Sequence, residues 1–378
     1  MMETTRTELS EVIDDIAAGP FGSNLKVSCF VEYGFPIIDG ANLKGYKVTD
    51  NVTKFVTEEK ARSLHRSIAK RGDVVVTISG TLGQVAYIPE DSQFEEYLCS
   101  QRQFRVTFNT DRIYPPYIVF YLHTWEGQHK ILAFANQTGV PALSQPLKNF
   151  KKIIVDLPSL EEQKKIASYC EILNDKIDEN ERINKNLQVQ AQAIYTKMFI
   201  TDADSSWPEG KLSDLIEVCY GKDHKKLNDG DIPVYGSGGI MRHVDQSLYD
   251  QESVLIPRKG TLNNVMYVNE PFWSVDTMFY TKMKRPNVAK FVFHFIKGKD
   301  LASMNAGSAV PSMTTKILDA IPLQIPDDQT LSNFETQVSP YYEAITCNNT
   351  ESENLATLRD VLLPKLMSGE IDVSDIDL

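Results

Sequence analysis

Between about residues 160 and 200, apolar side chains return at alternating spacings of three and four: Ile166, Cys170, Leu173, Ile177, Leu187, Ala191, Ile194 and Met198, with Asn180 and Asn184 in the same series. That period keeps one stripe facing a partner helix, so it predicts a long helix with a coiled-coil seam. A second stretch repeats the pattern at an offset of 168, with Phe334, Val338, Tyr341, Ile345, Asn348, Ser352, Leu355, Arg359, Leu362 and Leu366. Pro340 departs from it, and a kink or local break is expected there because proline lacks the donor that a helix interior needs. Pro158 and Pro326 punctuate the two helix starts;.

Ahead of each helix the pattern changes to short strands. The first stretch reads "KGYKVTDNVTKFV", "GDVVVTISG", "GQVAYIP" and "QFRVTFN", then a helix near "PPYIVFYLHTWEGQHKIL"; the second reads "ESVLIPRKG", "NNVMYVN" and "SVDTMFYTKM", then a helix near "NVAKFVFHFIKG". The two stretches are copies. "SGTLGQVAYIP" (79–89) returns as "KGTLNNVMYVN" (259–269), and Val140-Pro141 and Leu157-Pro158 return as Val310-Pro311 and Ile325-Pro326. Drift of the offset from 180 to 168 is what loop insertion and deletion produce.

The expected fold is therefore two duplicated α/β domains separated by two long helices. The parts are a first domain over 1–158, a first helix over 159–204, a second domain over 205–326, a second helix over 327–370 and an acidic tail over 371–378. Only about six residues separate the first helix from the second domain, so an antiparallel pair is expected, with one domain at each end and an internal pseudo-twofold axis. Asn180 and Asn348 then face each other near the middle, fixing register at some cost in stability; exposure of one or both to solvent is the competing reading.

Composition changes this picture in one respect. The formal charge of −12 argues against a nucleic-acid partner until it is divided: residues 327–378 carry −9, residues 207–326 carry +1, and residues 1–150 and 151–206 carry −2 each;. A local basic surface on either domain is thus compatible with the total. The acidic N-terminal stretch and the absence of any apolar run near the roughly 18 residues of a membrane span predict a cytoplasmic protein with no membrane contact. Cys29, Cys99, Cys170, Cys219 and Cys347 are odd in number and lack CxxC spacing, which favours plain thiols;.

Chemistry-bearing motifs are missing. There is no GxxxxGK[ST] phosphate loop, no HExxH, no GxSxG, and "YPPY" at 114–117 lacks the leading Asn or Asp of an amino-methyltransferase loop;. No catalytic residue, metal ligand or cofactor site is expected.

Five local phrases carry a resemblance: "GPFGSNLK" (19–26), "ISGTLG" (78–83), "TGVPALSQ" (138–145), "DLPSLEEQKKIA" (156–167) and "LLPKLMSGEI" (362–371). With the duplicated plan, they make the chain resemble the specificity subunit of a type I restriction-modification system over nearly its whole length. "YGKDHKKL" and "QIPDDQTLSNF" are weaker counterparts in the second copy. The resemblance implies target-recognition domains that each read one half of a bipartite, asymmetric site in double-stranded DNA, and helices that hold two modification subunits. It implies no catalysis in this chain; S-adenosylmethionine, ATP and Mg are expected in the modification and restriction subunits.

Base readers should be polar residues on glycine-punctuated loops. The first-domain candidates are Ser23, Asn24, Lys26, Ser79, Thr81, Gln101, Arg102 and Gln103. Those of the second are Lys222, His224, Lys225, Lys226, Ser237, Arg258, Lys259, Thr261 and Asn263. "GKDHKK" is the densest basic cluster and suits phosphate contacts; solvated turns are the competing reading for it and for "SQRQ". Glu161, Gln163 and Lys164 at the first helix boundary are candidate partner contacts or plain helix surface. An enzyme with its own methyltransferase or nuclease activity, and a scaffold that binds no DNA, are the alternative functions.

Overall fold

A computed structural model describes residues 3–136, 139–304 and 312–371. Thr138, Val310 and Pro311 of the repeat alignment, and residues 372–378 of the tail, lie outside the described residues. The chain forms two compact units, one of residues up to 179 with those from 351 onward, the other of residues 180–350.

The first unit contains β1 (Thr5–Glu8), β2 (Ile13–Ala18), β3 (Val74–Thr77), β4 (Val85–Tyr87), β5 (Gln103–Phe108) and β6 (Ile154–Leu157). Four of these form an antiparallel sheet in the order β2-β5-β3-β4, while β1 pairs with β6. The second unit contains β7 (Glu209–Lys211), β8 (Ile216–Tyr220), β9 (Ser253–Pro257), β10 (Met266–Val268), β11 (Met278–Met283) and β12 (Pro322–Gln324). Its sheet runs β8-β11-β9-β10, again antiparallel, and β7 pairs with β12. Strand for strand the topology of these sheets is the same, so the duplication read from two short phrases extends to the main sheet of each domain.

Each sheet packs on a helix, α1 (Pro115–His123) in the first unit and α3 (Ala289–Lys297) in the second. Two long helices complete the set: α2 (Leu160–Thr196), followed by a π-helical turn over Lys197–Thr201, and α4 (Asp328–Met367). α4 runs unbroken through Pro340, where a kink or break was expected. Pro340 is an exposed residue of the helix.

The helices run antiparallel within each unit. In the first, Ile166, Ala167 and Cys170 from the start of α2 share a core with Leu363 and Leu366 from the end of α4, and Arg359 donates to Asn174 at 2.8 Å. In the second, Ala191 and Tyr195 share a core with Leu331, Phe334, Val338 and Tyr342. Full burial of apolar helix residues falls where the helices lie on the sheet domains. The seam positions Leu173, Ile177, Leu187, Ile194, Tyr341, Ile345, Asn348, Leu355 and Leu362 are only half-buried, and Tyr342 and Leu363 are more deeply buried than the expected Tyr341 and Leu362. A two-helix pair covers one face of each helix, whereas a helix lying on a domain is covered more widely, which moves the most buried stripe by one residue. Ile166, Asn180 and Phe334 are fully buried.

The expected Asn180–Asn348 pair is rearranged. Asn348 donates its side-chain amide to Asn184 at 2.8 Å, Asn184 donates to Asn349 at 2.8 Å, and Asn180 reaches the Asn348 backbone carbonyl at 3.4 Å. One helical turn separates Asn180 from Asn184, so the neighbour with the better side-chain geometry takes the contact.

The boundary phrase "LPSLEEQ" also has a local cause. Ser159 and Glu162 form reciprocal capping bonds at the start of α2;. Gln163 is fully buried, accepting from the Tyr114 amide at 2.8 Å and donating to the Pro158 and Arg112 carbonyls. Gln163 therefore fastens the helix to its domain and offers no outer surface to a partner, unlike the exposed Glu161 and Lys164. In the second copy Asp327 caps α4 through the Thr330 amide.

Both domains carry a second sheet that strand patterning had not separated. In the first unit five strands run Phe30–Val31, Phe55–Val56, Phe35–Ile38, Glu96–Cys99 and Ile68–Lys70. In the second, three run Gly239–Val244, Ile232–Gly236 and Trp273–Ser274. "KGYKVTDNVTKFV" contributes only Phe55–Val56 and a bridge from Lys47 to Tyr87.

Candidate nucleic-acid interface

In the first unit, the chain leaving β2 must turn beside the loop that enters β5. Gly19 makes this close approach: its amide donates to the Gln103 carbonyl at 2.8 Å, and a Cβ there would lie 1.8 Å from the Ser100 carbonyl oxygen. The loop after β3 joins them, since Ile78 donates to the Arg102 carbonyl at 2.6 Å and Gly80, at φ +98, donates to the Pro141 carbonyl;. These loops enclose a cleft of about 520 Å³.

Ser79, Thr81, Gln101, Arg102 and Gln103 line that cleft. Ser23, Asn24 and Lys26 are exposed on the loop whose Leu25 and Val27 form its wall. Gln103 is 2% exposed, and its Oε1 accepts from the Ser100 hydroxyl, which holds the loop. Gln101 and Arg102 are exposed at the rim.

Sequence patterning missed Asp39, Lys54, Thr77, Gln84 and Ser100, which also line the cleft. Thr77 donates to Gln84 at 3.0 Å, and Gln84 donates to the Gly40 carbonyl at 3.0 Å. Lys54 donates to Asp39 at 2.6 Å. Burial acts to raise the Asp39 carboxyl, but the bonds from Lys54 and the Ala41 amide outweigh it and hold it below its ordinary value;. Asp39, Lys54 and Ser100 adjoin strands of the second sheet, whereas Thr77 ends β3 and Gln84 immediately precedes β4 of the four-stranded sheet, so both sheets contribute to the cleft.

The second unit builds the same junction from different residues. Gly221 takes the place of Gly19: its amide donates to the Met278 carbonyl at 3.0 Å, and a Cβ would lie 2.1 Å from the Val275 carbonyl oxygen. Arg258 donates its amide to the Thr277 carbonyl and accepts from Met313, as Ile78 does with Arg102 and Leu143. Gly260 is at φ +84, matching Gly80.

Lys222, Lys225, Lys226, Lys259 and Thr261 are exposed, and none of the four lysines forms an ion pair among the described residues. The Lys222 carbonyl accepts from the Trp273 indole at 2.9 Å, which fixes the start of the basic loop. His224 is half-buried, and its Nδ1 has no hydrogen-bond partner among the described residues. Ser237 accepts from Asn264 through its carbonyl at 2.9 Å. Asn263 is committed: it accepts from the Ala302 amide at 3.0 Å and donates to Asp300 at 3.1 Å, and this second bond is the main cause that holds the Asp300 carboxyl below its ordinary value.

The model of the type I restriction modification DNA specificity domain matches this chain twice, over residues 22–189 and 204–354. The chain belongs to that family. Two relatives are the MjaIX type I restriction enzyme specificity subunit of Methanocaldococcus jannaschii, 20% identical with 85% of this chain and 82% of the relative covered, and the HindI specificity subunit of Haemophilus influenzae, 20% identical with 80% and 87% covered. Among solved structures, the S subunit of a type I restriction-modification system from M. genitalium aligns with a TM-score of 0.59 at 16% identity over 97% of this chain and 96% of that one, a likeness of fold. The second match contains the whole four-stranded sheet β8-β11-β9-β10, while the first, starting at residue 22, contains β3, β4 and β5 of its sheet and begins after β2 and Gly19. Among the described residues no group of His, Cys, Asp and Glu is arranged to hold a metal ion, and no helix is long and apolar enough to cross a membrane.

Proposed function

We propose that this chain is the DNA-reading subunit of a type I restriction-modification complex, that each domain reads one half of a bipartite, asymmetric target, and that the helices dock the modification subunits. The observation that carries this reading is a junction built twice on one backbone plan with unlike side chains at matched positions: Ser79 against Lys259, Ile78 against Arg258, Gly83 against Asn263. A conserved backbone with variable polar loops suits recognition of two different base sequences. The uncommitted lysines of the second domain suit phosphate contact, and joining two modest readers in one chain raises apparent affinity through effective concentration. Methylation with S-adenosylmethionine, and ATP- and Mg-dependent translocation and cleavage, are assigned to the partner subunits.

The test is binding to random-sequence duplexes over a range of salt, with and without the modification subunit, followed by sequencing of the retained DNA. Enrichment of one motif with two separated parts is expected. Salt-independent behaviour without enrichment would favour a scaffold, and methylation by the purified chain alone would make it an enzyme.

A further inference from the structure

The two copies differ at one pair of positions in a linked way. Phe104 of β5 pairs with Ala18 of β2, and the matching pair in the second unit is Phe279 of β11 with Tyr220 of β8. Ile78, after β3, is matched by Arg258, after β9. Thus where the first copy has Ala18 and Ile78, the second has a tyrosine and an arginine.

Those two side chains touch. The Arg258 guanidinium lies 5.4 Å from the centre of the Tyr220 ring, and that ring meets the fully buried Phe279 edge to face at 5.0 Å. Arg258 also donates Nη1 to the Asp276 carbonyl at 3.2 Å. Its Nε and Nη2 donate to nothing among the described residues, and it forms no ion pair there. A core phenylalanine, a tyrosine ring and a backbone carbonyl therefore hold a half-exposed arginine with part of its donor fork uncommitted.

We infer that Arg258 is a specificity-determining residue of the second domain, reading the O6/N7 edge of a guanine, and that Tyr220 is its positioning residue. This rests on the DNA-reading function proposed above. A guanidinium fork matches the two acceptors of guanine in the major groove. Stacking on Tyr220 restricts rotamer freedom before DNA arrives, so less ordering is left to the binding step. Lys222, Lys225, Lys226 and Lys259 nearby in sequence carry charge without such support and suit phosphates instead.

The experiment expresses the chain with its modification subunit in a host without other adenine methylation and maps methylated adenines across the genome. The wild-type motif is expected to contain an invariant guanine, on either strand, in one half. Arg258→Lys keeps the charge but not the fork, and should relax discrimination at that one position by about ten- to a hundredfold while leaving the other positions intact. Arg258→Gln should move the preference there toward adenine. Tyr220→Leu should relax the same position less, and Tyr220→Phe, which keeps the ring, should restore it. Arg258→Lys decides the matter if Arg258→Gln does not fold. An unchanged motif with Arg258→Lys, or an equal loss of methylation at every position, overturns the inference. A wild-type chain that yields no motif overturns the DNA-reading proposal itself, and this inference with it.

Discussion

The two recognition domains share strand order, paired glycines and loop hydrogen bonds, yet they distribute polar groups differently. The first surrounds a cleft with groups already bonded to one another: Thr77 to Gln84, Gln84 to Gly40, Lys54 to Asp39, Ser100 to Gln103. The second leaves four exposed lysines without ion pairs among the described residues and supports one arginine on an aromatic ring. The difference teaches that a shared backbone sets where recognition occurs, while the degree of prior bonding sets what kind of contact is available. A self-bonded polar wall offers fixed donors and acceptors; uncommitted ammonium groups offer charge.

The domains also differ in how they meet the helices, and the largest expected effect lies there. Lys290 of α3, 5% exposed at its side chain, is bonded to both Glu252 and Glu335. Lys290→Met should destabilise the second unit by about 3–5 kcal/mol, since it strands two carboxylates at a largely covered site, and thermal unfolding would measure it. The first unit uses Tyr87 to Glu171 and Arg359 to Asn174 instead. Tyr87→Phe should cost less, because it removes a single hydrogen bond.

A pH effect of intermediate size separates the units next. His294 is buried, bonded to Gln192 and Tyr342 at 2.8 Å, and its pKa is pushed down to about 4 by burial and then by nearby Lys297. Both folded and unfolded forms are neutral above pH 6.5, where the stability is fully present. As pH falls from 6.5 toward 4 the unfolded chain takes up a proton that the folded one refuses, so up to roughly 3 kcal/mol is lost across that window. Melting curves of wild type and His294→Gln over pH 7 to 4 should show a shallower decline for the variant. His123 in the first unit is also lowered, chiefly by burial.

The paired glycines come next. Gly19→Ala and Gly221→Ala each place a Cβ against a backbone carbonyl and should cost about 1–3 kcal/mol in their own unit. Equal costs would confirm that the junctions are equivalent; a silent Gly221→Ala would break the equivalence. The smallest effect is on binding: Lys225→Ala with Lys226→Ala should weaken all DNA sequences alike and reduce the salt slope by about two. Loss confined to one base position would make these lysines readers.

Much of this was legible beforehand. The duplicated phrases, the helix period and the proline punctuation located three strands of each four-stranded sheet and both long helices, because local pattern and tertiary role agree there. What stayed hidden depends on distance in sequence. Asp39, Lys54 and Ser100 reach the cleft beside a second sheet of two- to four-residue strands, too short to show a period;. β2 was missed because Asp14 and Asp15 interrupt its apolar run, although Asp15 is bonded to Arg105 across the sheet. Gln103 and Asn263 looked like free polar groups, and no local signal reveals that Ser100 already occupies the Gln103 oxygen or that Asp300 and the Ala302 amide occupy Asn263. Tyr220 gave no cue either, since its partner Arg258 lies 38 residues away.

The central claim is that two unlike copies of one reader recognise two unlike half-sites. It is tested most directly by mapping adenine methylation genome-wide in a host carrying the modification subunit, with and without this chain. The account predicts that adding the chain brings one motif with two different parts separated by a fixed run of unread bases. Methylation that does not depend on the chain, or a single uninterrupted motif, would contradict it.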